Sequence, residues 1–201
     1  MRAIQLVYVV QIGVENVNQG QPPAAMPRSA ARLPPMPIAR KPVTATNAIQ
    51  IQRYLPNMLQ AQLRIRIEWS HCDAAKIIFN PHYYIWMDNS THSLLRVAGL
   101  DASEHIDDPD FKACPLVTSS AQFHHPAVLG DLLLLTSSVS RFGNTSFEIS
   151  HSFSRDNTVV CSGTEVRVWG GTDDAGNLTA VPVPDWIRDN LSACGTHDVS
   201  P

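Results

Sequence analysis

The chain has 201 residues, of which 44% are apolar, 16% charged and 7% aromatic, and its formal net charge is −3. No apolar run approaches the roughly 18 residues needed to span a bilayer, and no long Lys/Arg cluster marks a dedicated nucleic-acid binder. Four cysteines (Cys72, Cys114, Cys161, Cys194) are widely spaced without a CxxC; neither a disulfide framework nor a zinc finger is indicated, and a reducing, cytoplasmic setting is expected.

The first sixty residues differ from the rest. They carry eight of the fifteen prolines and six basic residues against the single acid Glu15, a net +5, whereas residues 61–201 carry nine basic and seventeen acidic residues, a net −8. Between Gln19 and Lys41 the chain is rich in Pro, Ala and Arg and holds too few large apolar groups to offset the entropy of ordering. Three readings are open: a targeting segment, since Ile4 to Val14 is moderately apolar and a basic, acid-poor stretch follows; a disordered extension; or leader sequence upstream of a start at Met58. Met58 directly precedes the first clean structural pattern, which favours the last. The boundaries expected are residues 1–57 for a disordered or non-native extension and 58–201 for the functional domain.

Gln62 to Trp69 alternates strictly, with Leu63, Ile65, Ile67 and Trp69 on one face and Arg64, Arg66 and Glu68 on the other, which predicts a half-buried strand. Asn80-Pro81 is a good helix start, with Asn as N-cap and Pro at the first helical position. The helix is expected to run to a stop at Gly99. Tyr84, Met87, Thr91, Leu94, Leu95 and Ala98 share one of its faces and Ile85, Trp86 and Val97 widen it, so it should be largely buried. Residues 101–113 read as an acidic, solvated loop. Strands follow at about 114–125, 131–142, 145–155 and 158–169, with tight-turn chemistry at Gly143-Asn144 and Asp156-Asn157. Gly170 to Gly176 reads as a turn, and a short helix is expected over Asp185–Leu191. The order β-α-β-β-β-β predicts an α+β fold in which long antiparallel strands wrap one central helix.

Chemistry concentrates between the first strand and that helix. Asp73 stands in the connecting loop, where a carboxylate is a candidate base or nucleophile. The helix N-terminus offers unpaired backbone N–H groups to a developing oxyanion. Together they suit acyl transfer to water, although loop aspartates before helices are commonly caps.

The stretch Cys72-Asp73, Ala75, Ile77-Ile78, Pro81, Tyr83, Trp86-Met87-Asp88 and Gly99 resembles the 4-hydroxybenzoyl-CoA thioesterase family of the hotdog fold. The resemblance continues through Phe123, Pro126, Gly130-Asp131, Ser146-Phe147 and Glu165-Val166-Arg167-Val168, covering about 63–190. It implies hydrolysis of an acyl-CoA thioester, with an aromatic, 4-hydroxybenzoyl-like or a short-chain acyl group and without cofactor or metal. The family's catalytic carboxylate falls on Asp73 and its carbonyl-polarising backbone N–H on Asn80. Tyr83 and Asp88 fall near the acyl group. The family's basic cluster for CoA phosphates, around 141–145, is reduced to Arg141, with Lys76 and Arg167 as candidate replacements. The resemblance also implies a homodimer or homotetramer with sites at the interface.

Departures from the pattern are His71 for an acid, Ala74 for Pro, and Asn80 for a frequent Tyr. Lys76 replaces a Gly, which removes easy access to φ > 0 and predicts a reshaped loop. Other readings of the same residues are weaker. His71, Cys72 and Asp73 with His124-His125 form a possible metal set, but adjacent residues in extended chain point to opposite faces; His124-His125 reads better as edge polarity. Asp88 and His92, four apart, could serve as an acid–base pair, and Cys72 as a nucleophile, although no His stands at a suitable distance. An enoyl-CoA hydratase-like enzyme, using Asn80-Pro81-His82, and a non-catalytic acyl-CoA-binding module remain as alternative functions.

Overall fold

The computed structural model describes residues 58–101, 104, 113–173 and 175–199. The extension at 1–57 and most of the acidic loop lie outside the described residues. Strand β1 (Leu59–Arg66) is followed by a 3-10 turn (Trp69–His71), helix α1 (Pro81–Val97), and strands β2 (Leu116–Phe123), β3 (Leu132–Phe142), β4 (Ser146–Arg155) and β5 (Thr158–Val168). A small hairpin, β6 (Gly170–Thr172) with β7 (Leu178–Ala180), then helix α2 (Asp185–Ser192) and strand β8 (Gly195–Asp198) complete the chain. No described helix is long and apolar enough to cross a membrane.

The main sheet has the order β2-β5-β4-β3-β1-β8. Its five longer strands pair antiparallel, and β8 joins β1 in parallel, Leu59 opposite Gly195. The sheet is therefore mixed rather than purely antiparallel. Neither β8 nor the β6–β7 hairpin has the length or alternation that marks a strand in sequence. The Asp156-Asn157 turn has positive φ at both residues, 50° and 61°, as a tight hairpin turn requires.

Helix α1 lies against β1, β2 and β3. It ends where expected: Gly99 has φ 90°, and the N–H of Leu100 reaches the carbonyl of Leu95 at 2.9 Å, the closure of a Schellman motif. Its buried face holds Met87, Thr91, Leu94, Leu95 and Ala98, as expected, and extends to one side. Tyr83, Trp86, Met87, Ser90, Thr91, Ser93, Leu94 and Leu95 are buried, Tyr84 and Val97 are only half-buried, and Ile85 is 53% exposed. The helix meets β5 closely at Gly163, where a Cβ would stand 2.3 Å from Met87 Sδ and 2.9 Å from the Ser120 carbonyl oxygen. Trp69, expected on the inner face of the first strand, is 77% exposed. The strand stops at Arg66, and the chain turns through a reciprocal cap in which the Glu68 N–H donates to His71 Nδ1 at 3.0 Å.

Beneath α1 the core divides in two. One cluster gathers around Leu94, Phe147, Trp169 and Ile187, the other around Tyr83, Met87, Leu133 and Phe153. A buried polar belt of Ser90, Thr91, Ser137, His151, Glu165 and Arg167 separates them.

Candidate active site

The loop that carries Asp73 is a miniature hairpin. Cys72 bridges Ile78, the Asp73 N–H donates to the Ile77 carbonyl at 2.9 Å, and the Lys76 N–H returns to the Asp73 carbonyl at 2.9 Å. Lys76 takes φ 64°. Lys76 thus takes the left-handed turn conformation that a glycine would supply freely, and carries the associated backbone strain. The Ile78 N–H donates to the Ala127 carbonyl at 3.0 Å, which fastens the hairpin to the segment following β2. One carboxylate oxygen of Asp73 accepts the Ala75 N–H at 2.8 Å; the other has no partner among the described residues.

Helix α1 begins beside this loop. Asn80 does not cap it with its side chain, contrary to expectation: its backbone is already helical (φ −51°, ψ −33°) and no side-chain cap bond forms. Its carbonyl accepts the Tyr83 N–H at 3.1 Å, so Asn80 lengthens the helix backbone by one residue. The Asn80 N–H has no hydrogen bond among the described residues, so it stands as one of the free donors of the helix start.

Asp73, Asn80 and Tyr83 line one open cavity of about 580 Å³, together with Ile77, Ile78, Phe79, Phe123, His124, His125, Pro126 and Ala127. Its walls are mostly apolar, and among the described residues Asp73 is the only acid that lines it. Tyr83 is buried, and that burial raises its phenol above the ordinary range, so the hydroxyl stays protonated.

The remaining predicted residues lie elsewhere. Lys76 stands in the Asp73 loop with no ion-pair partner among the described residues. Arg141 sits at the end of β3, its side chain 75% exposed and 3.6 Å from Glu148. Arg188, which carried no signal in the sequence, reaches the same β3–β4 hairpin, donating to the carbonyls of Gly143 at 2.6 Å and Asn144 at 2.8 Å. Arg167 does not offer a surface cation. Its side chain is 4% exposed and is consumed by Glu165 at 2.8 Å, the Cys114 carbonyl at 3.4 Å, and Asp88. Burial works against its charge, yet Glu165 and Asp88 together raise its pKa. Asp88 pairs with Arg167 and does not line the cavity of this chain, its side chain being half-exposed, and His92 stands 3.9 Å from it.

The belt continues inward. Thr91 donates to Glu165 at 2.8 Å, while Ser90, Ser137 and His151 Nδ1 form a chain at 2.7 and 2.8 Å. Burial first, and Arg167 second, push His151 from 6.5 down to about 3, so it is neutral at physiological pH. His82 stacks on Trp86 at 5.7 Å and meets His71 at 5.0 Å; it is not among the residues that line the cavity. The metal set that would join His71, Cys72 and Asp73 to His124-His125 is not gathered either, since no group of three such side chains converges among the described residues.

His124 and His125, which the sequence marks as edge polarity, are exposed just past the end of β2 and line the cavity. Both backbone N–H groups donate to the single carbonyl of Val160, at 2.9 and 3.1 Å. Such sharing marks a bulge and breaks the strand alternation, so two consecutive side chains reach the same cavity. A histidine pair immediately before Pro126 was the one available signal, because Pro ends strand pairing.

The long sheet around one buried helix, with an acid loop at the helix start, defines a hotdog fold. Residues 75–162 match the family model described as the thioesterase superfamily. A gentisyl-coenzyme A thioesterase of known structure is 32% identical, with a TM-score of 0.56, covering 66% of this chain and 99% of that one. The 4-hydroxybenzoyl-CoA thioesterase of Pseudomonas sp. (strain CBS-3) is 29% identical over 130 residues, 61% of this chain and 92% of that protein. A 4-hydroxybenzoyl-CoA thioesterase variant solved with 4-hydroxybenzoyl-CoA is 25% identical, with a TM-score of 0.61, covering 66% of this chain and 99% of that one. The chain belongs to the hotdog-fold thioesterase superfamily, in the family that includes 4-hydroxybenzoyl-CoA thioesterase, and is an acyl-CoA thioesterase.

Proposed function

We propose that the chain hydrolyses an aromatic acyl-CoA, with Asp73 as the acting carboxylate and the Asn80 N–H as oxyanion donor. The observation that carries this reading is the meeting, at one apolar cavity, of a carboxylate with one oxygen unengaged and a helix-start N–H with no other partner. Phe79, Tyr83 and Phe123 line that cavity and suit a flat ring. The relatives named for 4-hydroxybenzoyl-CoA and gentisyl-CoA act on thioesters of the same kind.

Asp73 can work in two balanced ways. As a base it takes a proton from water, whose oxygen adds to the thioester carbon; the C–S bond then breaks and CoA leaves as its thiolate. As a nucleophile its carboxylate oxygen adds to the same carbon and expels the thiolate, and water then hydrolyses the mixed anhydride. Both routes place negative charge on the carbonyl oxygen, where the Asn80 N–H and the α1 dipole stabilise it.

Lys76 and Arg141, both solvent-facing, are the cations proposed to meet the CoA phosphates. Pairing of two or four copies belongs to the same proposal, supported by apolar side chains left open on one chain: Phe79 at 51%, Ile85 at 53%, Val117 at 61% and Phe123 at 51% exposure. Thiol release from benzoyl-, 4-hydroxybenzoyl-, butyryl- and palmitoyl-CoA tests the reading. Fastest turnover of the two aromatic thioesters, abolished by Asp73→Asn, is expected; a preference for butyryl-CoA would replace the aromatic substrate by a short-chain one.

A further inference from the structure

Away from Asp73 and Asn80, the cavity is lined by Ile77, Ile78, Phe79, Tyr83, Phe123, Pro126 and Ala127, and the exposed residues His124 and His125 line it as well. The bulge on the Val160 carbonyl places both there. His124 is held: its Nε2 lies 2.9 Å from Ser162 Oγ on β5. The His125 ring has no hydrogen-bond partner among the described residues. Both histidine side chains are exposed in the free chain, so an acyl group made only of hydrocarbon that covered the His125 ring would take its nitrogens from water and give no partner in return, which is unfavourable. An acyl ring bearing a hydroxyl would satisfy one of them.

We propose that His125 is a specificity-determining residue that hydrogen-bonds a hydroxyl on the ring of the acyl group, with Ser162-anchored His124 positioning it. The inference rests on the aromatic-acyl reading above and adds the residue that reads the substituent. Imidazole fits the task because it can donate or accept, according to tautomer, to a phenolic hydroxyl. A site that hydrogen-bonds a substrate hydroxyl discriminates strongly against the analogue without it, far more than an apolar pocket can.

The test is the ratio of kcat/KM for 3- or 4-hydroxybenzoyl-CoA to that for benzoyl-CoA, measured on the full chain. The wild type is expected to favour one of the hydroxylated thioesters by at least about tenfold. His125→Leu should lower that ratio about tenfold, chiefly through KM for the hydroxylated substrate. His125→Gln, which keeps a hydrogen-bonding group, should hold the ratio within about threefold. Ser162→Ala should reduce it by a smaller factor. An unchanged ratio in His125→Leu overturns the proposal, and so does an equal loss on both substrates, which would assign His125 to CoA binding or to the fold. A wild type that turns over butyryl-CoA but neither aromatic thioester overturns the aromatic reading itself, whatever the variants do.

Discussion

Helix α1 meets polar side chains at two places, and the two are built in opposite ways. In its middle, Asp88, Thr91, Glu165 and Arg167 are bonded to one another, and Glu165 and Arg167 are almost wholly buried, at 1% and 4% exposure. At its start, Asp73 is exposed, one carboxylate oxygen and the Asn80 N–H are unengaged, and Lys76 is held in a left-handed conformation. Charge that is buried and paired fixes how the helix sits on the sheet; its removal leaves an uncompensated partner in the core. Charge that is open and unpaired at an apolar cavity is available to a substrate. By this contrast the belt is structural and the helix start is chemical, although in sequence both are runs of polar residues near aromatic ones.

The sharpest break between the two is expected at the helix start. Asp73→Asn should reduce kcat by about 10²–10⁴-fold, with a melting temperature close to wild type. Arg167→Met should do the reverse, removing about 3–5 kcal/mol of stability by leaving Glu165 buried and unpaired, as read by urea unfolding, while turnover per folded molecule is retained. Gly163→Ala pushes a Cβ onto Met87 Sδ and should cost about 1–3 kcal/mol in the same assay.

The belt also sets a pH dependence. The folded state holds His151 near pKa 3 against an ordinary 6.5, so between those values the unfolded chain binds the extra proton. The stability due to keeping His151 neutral is complete above about pH 6.5 and is lost as pH falls towards 3, with a limiting slope of about 1.4 kcal/mol per pH unit. Urea midpoints at pH 7 and pH 5 should show this decline in wild type and a shallower one in His151→Leu. The smallest effect belongs to Lys76→Gly. It relieves a left-handed side-chain position at the cost of a freer unfolded chain, so stability should change by less than about 1 kcal/mol. KM for the CoA thioester should rise as the cation is lost; an unchanged KM would remove Lys76 from CoA binding.

Much of the positioning frame was legible in the sequence. Strict alternation marked the first strand, Asn80-Pro81 and Gly99 bracketed the helix, and Asp73 before a helix start marked the acid. Trp69 was not legible, because alternation gives no sign of where a strand yields to a turn. The left-handed conformation of Lys76 is not legible in the sequence, because the backbone bonds between Asp73, Lys76 and Ile77 impose it on a residue that does not favour it. Arg167 was read from its charge alone, when its inward position on β5, two residues from Glu165, decides its partners. The histidine pair reads as edge polarity from its place before Pro126; that the cavity lies beside it depends on the shared Val160 carbonyl, which no local pattern announces.

The most direct measurement is thiol release per folded molecule, taken beside the melting temperature, for Asp73→Asn and Arg167→Met in one preparation series with 4-hydroxybenzoyl-CoA. The account predicts a crossed result: Asp73→Asn folded and nearly inactive, Arg167→Met less stable and active below its Tm. Near-wild-type turnover by Asp73→Asn, or an Arg167→Met that is stable yet inactive, would contradict the assignment of chemistry to the helix start and structure to the belt.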